Sequence, residues 1–377
     1  MQKIDEKLLK IVALEQKQCT YECIVYYNDK KRFYDYLNKN NIKVIKDLSF
    51  INGVVVCFNS EKILNSSKQY FVSYISSVAD VSALVDVSKR IIKCDTTLLT
   101  GKNVTIAFID TGINSHIDFK LKNNRVLAFY DFVNGYSNNY DDNGHGTFVA
   151  GVATGSGLLS GKKYMGIAPN SNIISLKALN EKGEATAVTI LDAMQWVYDN
   201  HNKYNIKVVC MSFGSEPLGI NDPIMKGAEK LWLEGIVIVS AAGNSGPERQ
   251  TIKSPGVSKK IITVGGLDDN RDALGDYNEK NFKVADFSSR GPAFNRVKPD
   301  VIAPSVNITS CSHLGGYRQM SGTSVATPMV AGLCALIFEK YPNATPDQIK
   351  NFLLYNAKSI FKGKNAEGYG VVQFNLQ

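Results

Sequence analysis

The feature that most constrains the fold is a series of short, unbroken apolar runs that begins near residue 103. The five clearest runs are NVTIAFID, NIISLKAL, KVVCMSFG, GIVIVSAAGN and KIITVGG. Strands exposed on one face alternate apolar and polar residues, whereas strands covered on both faces are apolar throughout. These runs therefore predict an α/β fold, with a mostly parallel central sheet and helices on both of its faces.

The segments between these runs have helical periodicity. Residues 186–200, 221–235 and 345–357 repeat apolar side chains every three or four positions, and the last two open with a polar cap and a proline. A strand, a helix and a further parallel strand form a right-handed crossover unit. The order of the elements therefore predicts the same fold as the apolar runs.

The first part of the chain predicts a separate, smaller unit. Residues 20–58 read as strand, helix, strand and strand, and residues 60–76 read as a second helix. Together they indicate a small α+β domain with a ferredoxin-like order. A stretch of weak periodicity follows, in which we predict a linker. We therefore divide the chain into 1–94 and 95–377, with the boundary within 80–97.

Composition excludes several classes of function. The 377 residues carry 43 Lys and Arg against 35 Asp and Glu, a net charge of +8, but no basic block interleaved with aromatic residues is present. We therefore expect a solvated surface and no nucleic-acid partner. No window approaches ~18 consecutive apolar residues, which predicts no membrane span. The charged N-terminal stretch also lacks the apolar core of a signal peptide.

The seven cysteines indicate a reducing compartment, because their number is odd and their spacing irregular. Cys210 and Cys334 lie in apolar runs, where a free cysteine behaves as a small core residue. Cys19 and Cys23 have the spacing of half a zinc site, but no second Cys or His pair follows, so chance is the better explanation. With the missing signal core, these observations predict a cytoplasmic protein.

Three polar residues lie where the chemistry of a parallel sheet collects, at the carboxyl ends of strands and the starts of the following helices. Asp110 closes an apolar run, His145 lies between two glycines ahead of a helix, and Ser324 opens a helix of small and apolar residues. Taken singly, each has a structural explanation as a turn residue, a buried histidine or a helix cap. Taken together they form an orienting carboxylate, an imidazole base and a nucleophilic alcohol.

Two further features suit the same chemistry. The start of the helix at Ser324 supplies free backbone N–H groups and a positive dipole end, which favour developing negative charge. Asn244 follows an apolar strand, and its side-chain amide is a candidate donor to an oxyanion. Pro328 falls in the first turns of the Ser324 helix, where we expect a proline to be tolerated.

On these residues the chain resembles the subtilisin-like serine proteases (subtilases, peptidase family S8). The stretches AFIDTGIN, NGHGTFVAG, SFG, AAGNSGP and SGTSVATPMVAG match the motifs of that family in order, from about residue 100 to 360. Other stretches, such as ADFSSRGPAFNRVKPDVIAPSVNI, resemble its intracellular AprX-like subgroup. The resemblance implies a subtilisin-like fold and a serine endopeptidase that works through an acyl-enzyme.

The resemblance also implies residue roles. Ser324 would be the nucleophile, His145 the general base and then acid, and Asp110 the group that holds the imidazole tautomer. Asn244 and the backbone N–H of Ser324 would form the oxyanion hole. An extended substrate would pair between two edges of the cleft. The implied substrate-binding residues are Glu181, Lys182, Gly183, Ser212, Phe213, Gly214, Ala241, Ala242, Gly243 and Lys253.

Residues 20–80 resemble the inhibitory, chaperone-like propeptide of the family. The resemblance implies a zymogen that cuts its own chain between about 80 and 97. The propeptide would then be an intramolecular inhibitor, and the other partners would be protein or peptide substrates. The alternative, from a different class, is a catalytically silent scaffold with the same fold; the intact Asp, His, Ser and Asn positions disfavour it.

Some residues depart from the pattern of the family. Phe148 and Met329 stand where many members have histidine, and Ser305 replaces a glycine, but none of these changes removes a catalytic group. The loop GSGLLSGKK lacks the Asn and Asp ligands of the tight calcium site in the secreted enzymes, and Asp118 alone offers too few hard oxygen ligands. We therefore expect no required cofactor, and at most a weak or structural calcium ion.

Two positions carry sharper expectations from the same resemblance. Pro255 aligns with a cis-proline, so we predict a cis Ser254–Pro255 bond. Lys253 aligns with the base of the pocket that holds the side chain before the scissile bond. A bare ammonium there would favour an acidic substrate side chain; the alternative is a lysine that extends to solvent.

Overall fold

The computed structural model describes residues 3–5, 8–9, 12, 20–77, 87–120, 124–272 and 275–375. The chain divides into two compact units, Met1–Ser82 and Ala83–Gln377. Each unit has its own hydrophobic core. The predicted propeptide boundary lies partly outside the described residues and stays a prediction. Cys19, half of the possible zinc pair, also lies outside them.

Within residues 20–77, the smaller unit has a four-stranded antiparallel sheet and two α-helices. Its elements are β1 (Tyr21–Tyr27), α1 (Lys30–Lys39), β2 (Val44–Leu48), β3 (Gly53–Phe58), α2 (Ser60–Ser67) and β4 (Val72–Ser77). The strand order is β2-β3-β1-β4. Asp29 and Asn59 start the two helices by accepting a hydrogen bond from a first-turn backbone N–H.

The predicted helix over residues 60–76 is wrong in its second half, because α2 ends at Ser67 and β4 follows. Val72 and Ile75 are fully buried although they lie three residues apart. A register shift in the pairing of β4 with β1 lets both side chains face the core. Their spacing imitates a helix in the sequence, and only the pairing with β1 decides for a strand.

The larger unit is built on a mostly parallel sheet. The strands of this unit are β5 (Thr105–Asp110), β6 (Val126–Asp131), β7 (Asn172–Lys177), β8 (Ile206–Met211), β9 (Val237–Ala241), β10 (Ile262–Asp268), β11 (Lys283–Val284), β12 (Val301–Pro304), β13 (Ile308–Cys311) and β14 (Tyr317–Met320). Its helices are α3 (Val87–Ile91), α4 (His145–Thr154), α5 (Ala187–Tyr204), α6 (Pro223–Leu233), α7 (Thr323–Lys340), α8 (Pro346–Asn356) and α9 (Lys364–Glu367).

The central sheet has the order β11-β10-β9-β8-β5-β7-β6, with β12 also paired to β10. Its pairs are parallel except for β10 with β11. Every residue of β5 is buried, so both faces of the sheet are covered there. These observations confirm the predicted α/β class. None of the helices among the described residues is long and apolar enough to cross a membrane.

The strand order reverses at β5, because the chain continues to β6 and β7 on one side and to β8 and β9 on the other. Such a switch point opens a crevice at the carboxyl ends of the strands. Helix α7 contacts β8, β9, β10 and α4, and almost all of its residues are buried. Pro328, its sixth residue, removes the hydrogen bond to the Ser324 carbonyl without ending the helix.

Candidate active site

Asp110 and His145 meet at the carboxyl edge of the sheet. Asp110 is the last residue of β5, and His145 is the first residue of α4. The His145 Nδ1 and the Asp110 Oδ1 are 2.7 Å apart, and the backbone N–H of Thr111 donates to the same oxygen at 2.8 Å. The Asp110 side chain is 2% exposed and that of His145 is 19% exposed. The carboxylate is therefore buried, while solvent reaches the imidazole.

The charges around His145 set its pKa. Burial lowers the pKa, while the charge and hydrogen bond of Asp110 raise it; Asp141 adds to the rise and Arg318 opposes it. The balance raises the pKa of His145 above its usual value. An imidazolium formed by proton uptake is therefore stabilised, which is a property of the base in a Ser-His-Asp site.

Ser324 and Asn244 lie close together at the start of α7. A Cβ built on Gly322 would lie 3.1 Å from the Ser324 Oγ and 3.3 Å from the Asn244 Nδ2. Gly322 also has a φ of 152°, in the range that side chains rarely adopt. The two polar groups therefore converge on one small space, which the missing side chain of Gly322 leaves open.

Contacts with Thr323 orient the amide of Asn244. The Asn244 Oδ1 accepts hydrogen bonds from the Thr323 N–H at 2.9 Å and from the Thr323 Oγ1 at 3.0 Å. With its oxygen engaged, the amide turns its NH₂ toward the space beside Ser324. A preorganised donor aimed at a nucleophile's surroundings is what oxyanion stabilisation requires.

The structure brings the four predicted residues to one end of the sheet but leaves one link unformed. Among the described residues, the His145 imidazole makes its side-chain hydrogen bond to Asp110 and none directly to the Ser324 hydroxyl. Catalytic hydrogen bonds are often long without substrate and tighten in the complex. The proton path from Ser324 to His145 therefore stays a prediction.

The two segments implied to pair with an extended substrate, residues 181–183 and 212–214, border one groove. A cavity of about 400 Å³ is lined from both sides, with Gly183 on one edge and Phe213 and Gly214 on the other. The Asn143 Nδ2 donates to the Glu181 carbonyl at 2.9 Å, which ties the first edge to the loop before α4. Of the remaining implied residues, Lys182 is exposed, and Ser212, Ala241 and Ala242 are buried.

Lys253 lies against two glycines of the cleft, but its ammonium is not bare. A Cβ on Gly214 would lie 2.6 Å from the Lys253 Cβ, and a Cβ on Gly243 would lie 2.5 Å from the Lys253 Cγ. The Lys253 Nζ donates to the carboxylate of Glu216, whose side chain is 80% exposed. The structure therefore differs from the expected bare ammonium. The Ser254–Pro255 bond is cis, as predicted.

Both carboxylate oxygens of Asp118 accept hydrogen bonds within the protein. Its Oδ2 accepts from the Tyr317 hydroxyl at 2.7 Å, and its Oδ1 accepts from the Leu159 N–H at 3.0 Å. Among the described His, Cys, Asp and Glu side chains, those that could join it in holding a metal are His116 and Cys311, which offer nitrogen and sulfur. Calcium takes oxygen ligands, so this donor set does not fit it. That calcium is not required stays a prediction.

Sequence analysis did not single out Asp141 and Asn143, which precede His145. Asp141 accepts hydrogen bonds from the backbone N–H groups of Gly144 and Thr147 at the start of α4. An acidic residue just ahead of a predicted helix is a recognised start signal. That signal could have marked Asp141, whereas the contact of Asn143 with the substrate edge depends on the tertiary structure.

Comparison with known proteins agrees with the fold. Residues 101–371 match the Subtilase family (peptidase S8). The chain is 40% identical over 335 residues to serine protease AprX of Bacillus subtilis (strain 168), covering 83% of this chain and 74% of that protein. It is 36% identical over 263 residues to subtilisin DY of Bacillus licheniformis, covering 69% and 85%.

Solved structures show the same similarity. The chain matches Sphericase with a TM-score of 0.66 at 29% identity, and the S41 psychrophilic protease with a TM-score of 0.67 at 30% identity. Each match covers 79% of this chain and 100% of the other. The chain therefore belongs to the subtilase family of serine endopeptidases, which act on proteins or peptides. Within that family, its similarity to AprX confirms the predicted AprX-like subgroup.

Proposed function

We propose that this endopeptidase works through Asp110, His145 and Ser324, with Asn244 and the backbone N–H of Ser324 as its oxyanion hole. The observation that carries the proposal is the 2.7 Å contact between the His145 Nδ1 and the Asp110 Oδ1. It holds the proton on Nδ1 and leaves Nε2 available as the base. The Ser324 Oγ and the Asn244 Nδ2 lie beside one open space, as an attacking oxygen and an oxyanion donor must.

The chemistry then follows in two steps. The Ser324 Oγ attacks the substrate carbonyl carbon while its proton passes to the His145 Nε2, and the carbonyl oxygen becomes an oxyanion bound by Asn244. The C–N bond breaks as His145 returns the proton to the leaving amine, which leaves an ester on Ser324. Water attacks this ester while its proton passes to His145, and the bond between the acyl carbon and the Ser324 Oγ breaks as His145 gives that proton to Ser324, so that the second product leaves as a carboxylic acid.

A fluorophosphonate probe tests the nucleophile. We expect covalent labelling of the wild type and none of the Ser324→Ala variant, because the probe reacts with an activated serine hydroxyl. Intact-mass analysis of both proteins is the measurement, with labelling after heat denaturation as the control. An unlabelled, folded wild type would instead support the silent-scaffold alternative.

We propose further that residues 1–94 form an inhibitory propeptide, which the enzyme removes by cutting its own chain within 80–97. The first unit supports this because it has a hydrophobic core of its own. N-terminal sequencing of wild type beside Ser324→Ala is the test. We expect a new N-terminus within 80–97 in the wild type and an uncut variant; stable, full activity from an uncut chain would contradict self-processing.

We propose the cytoplasm as the place of action. Cys23, Cys57, Cys210, Cys311 and Cys334 form no disulfide bond, and all of these except Cys57 are buried, as is usual in a reducing compartment. Alkylation of the unfolded protein without reductant is the measurement, beside fractionation of expressing cells. We expect every thiol to react and the protein to accompany cytoplasmic markers. Blocked thiols, or recovery outside the cytoplasmic fraction, would contradict the proposal.

We propose that the Lys253–Glu216 pair acts on the substrate side chain before the scissile bond. The Lys253 stem packs on Gly214 and Gly243, and Gly243 directly precedes Asn244. Glu216 is largely exposed, and such ion pairs contribute little stability. A substrate carboxylate can therefore replace Glu216 at the Lys253 ammonium, while Glu216 returns to water.

The ratio of kcat/KM for peptides with Glu and with Gln at that position tests this proposal. We expect Glu216→Gln to raise the ratio, because it removes the competing carboxylate, and Lys253→Gln to lower it toward one. Glu234→Gln is the matched control, since Glu234 also pairs with a lysine, Lys230, away from the cleft. Equal ratios in the wild type, Glu216→Gln, Lys253→Gln and Glu234→Gln would contradict the proposal.

A further inference from the structure

Asp141 lies between the strand that carries Asp110 and the helix that carries His145. It forms an antiparallel bridge with Gly112, two residues beyond Asp110, and it lies four residues before His145. Its side chain is buried, with only 4% of the residue exposed. A buried carboxylate must be paired or hydrogen-bonded, so its partners show what it does.

On the helix side, Asp141 holds the first turn of α4. Its Oδ1 accepts from the Gly144 N–H at 2.7 Å, and its Oδ2 accepts from the Thr147 N–H at 2.9 Å and the Thr147 Oγ1 at 2.6 Å. Gly144 and Thr147 flank His145 in the chain. Because both carboxylate oxygens bind backbone on either side of His145, the first turn cannot rotate or slide without breaking these bonds. The negative charge also suits a helix N-terminus.

On the strand side, Asp141 reaches the residue that follows Asp110. The Thr111 Oγ1 donates to the Asp141 Oδ1 at 2.8 Å and accepts from the Gly146 N–H at 2.9 Å. Thr111 follows Asp110, and Gly146 follows His145. The carboxylate and this hydroxyl therefore join the two chain segments immediately beside the 2.7 Å contact between Asp110 and His145.

We propose that Asp141 is a positioning residue for the proton transfer: it fixes the His145 imidazole against Asp110 and adds negative charge to its surroundings. The proposal rests on the proposed function, since it concerns the base of the same site. It assigns Asp141 no contact with the substrate. Catalysis depends on geometry held within a few tenths of an ångström, so a loosened α4 start should slow the chemical step rather than weaken binding.

The charge of Asp141 provides a readout that a merely structural residue lacks. Among the described residues, the charges of Asp110 and Asp141 raise the pKa of His145, and that of Arg318 lowers it. The neutral imidazole is the active base, so activity falls as the pH drops below this pKa. Neutralising Asp141 should therefore lower the pKa of His145 and move the acid limb of kcat/KM to lower pH.

Asp131 provides a matched control. It is also a buried aspartate, and it accepts hydrogen bonds from the N–H groups of Val133, Asn134 and Tyr136 and from the Tyr140 hydroxyl. It orders the loop that leads to Asp141, as Asp141 orders the start of α4. Asp131→Asn should therefore lower the stability of the fold about as much as Asp141→Asn. The hydrogen bonds of Asp131 named above go to neither Thr111 nor α4.

The test compares wild type, Asp141→Asn and Asp131→Asn in kcat, KM and the pH profile of kcat/KM on one peptide substrate. We expect Asp141→Asn to lower kcat about tenfold to a hundredfold, with KM changed less than about twofold, and to shift the acid limb to lower pH. Asp131→Asn should leave kcat and the acid limb unchanged. A kcat for Asp141→Asn within twofold of wild type, or the same shift in both variants, would overturn the proposal.

Three further variants keep the test decisive. Thr111→Val removes the link to the strand but keeps the Asp141 charge, so kcat should fall while the acid limb stays in place. It answers the question even if Asp141→Asn does not fold, because an unchanged kcat would then contradict the proposal. Ser324→Ala and His145→Ala run in parallel: activity in either would refute the proposed function itself, independently of Asp141.

Discussion

In the proposed mechanism, the side chain of Asn244 serves both the structure and the reaction. Its amide oxygen accepts from the N–H and hydroxyl of Thr323, the first residue of α7, while its nitrogen lies beside the space next to Ser324. The oxygen therefore acts as a helix cap supplied from the loop after β9, and the nitrogen is left for an oxyanion. Two substitutions separate these roles.

Asn244→Ala should lower kcat by about 10²- to 10³-fold, the size of loss known for this kind of donor in subtilisin. It should also lower the unfolding free energy by about 1 kcal/mol, because Thr323 loses its acceptor. Asn244→Asp keeps the acceptor, so we expect wild-type stability with an equal or larger loss of kcat. Steady-state kinetics and urea unfolding measure both effects; a fully active Asn244→Asp would contradict the oxyanion role.

Arg318→Gln should move the acid limb of kcat/KM to higher pH. The positive charge of Arg318 lowers the pKa of His145, so its removal raises that pKa and protonates the base at a higher pH. The measurement is the pH profile on a peptide substrate, with Arg296→Gln, which changes an exposed arginine, as the control. An acid limb that stays in place would show that the charge of Arg318 does not reach the imidazole.

At the scale of elements, Arg125 joins three segments through their carbonyl groups. Its guanidinium donates to the carbonyl oxygens of Ser171 at 2.7 Å, Asp118 at 2.6 Å and Thr154 at 2.7 Å. These residues lie before β7, after β5 and at the end of α4. Burial lowers the pKa of Arg125 to about 10, partly offset by Cys311 and Asp118. The group therefore stays charged at neutral pH and orders this side of the sheet.

Arg125→Met should reduce the unfolding free energy by about 3 kcal/mol or more, because three buried carbonyl groups each lose a donor at about 1–3 kcal/mol. Urea unfolding in a Ser324→Ala background measures this without self-digestion. Arg296→Met, in the same background, controls for the loss of a surface arginine. An equal stability for the two variants would mean that water replaces the guanidinium.

The same scale shows where local sequence signals suffice. Asp222 and Thr345 cap α6 and α8, each with a proline at the helix start, as their sequence predicts. Sequence analysis did not single out β6, an edge strand with one buried residue, Asp131. An edge strand has a neighbour on one side only, so it lacks the unbroken apolar run that marked β5 and β7.

At the scale of the whole molecule, buried charges around Asp300 connect distant parts of the larger unit. The Lys298 Nζ donates to the Asp300 Oδ2 at 2.6 Å and to the Thr263 Oγ1 at 2.8 Å. The Lys350 Nζ, from α8, lies 3.0 Å from the Asp300 Oδ1 and donates to the Ile261 carbonyl at 2.8 Å. This cluster ties α8 and the segment before β12 to the start of β10.

The Lys298 ammonium makes stability depend on pH. Burial lowers its pKa from 10.5 to about 8, and Asp300 opposes that shift. Between these values the unfolded chain binds more protons than the folded one, so this group makes stability rise with pH from about 8 to 10.5. Below that window both states are charged, and above it both are neutral.

Lys298→Met should therefore lose this contribution to the pH slope, while Lys350 still pairs with Asp300. Urea unfolding of Ser324→Ala and of the double variant, at several pH values between about 7.5 and 10, measures the difference. Groups distant from Lys298 are the same in both proteins, so their contributions to the pH slope cancel in the difference. A difference in stability that stays constant across the range would show that the pKa of Lys298 is not depressed.

The sequence by itself determined the class of fold and the order of the candidate catalytic residues. Burial on both faces leaves unbroken apolar runs, and caps and glycines mark where helices begin, so β5, α4 and α7 could be placed with Asp110, His145 and Ser324 at their ends. These signals are local, because each depends on residues within a few positions of one another.

Only the tertiary structure decided which partners these residues meet. Glu216 pairs with Lys253 across 37 positions, and Thr111 bonds to Asp141 across 30; no periodicity connects such pairs. Their distances depend on how the crossovers return each strand to the sheet, and β4 likewise became a strand only through its pairing with β1. The sequence shows which side chains are available for chemistry. The contacts that change their reactivity form only when long-range packing brings separate segments to the same edge of the sheet.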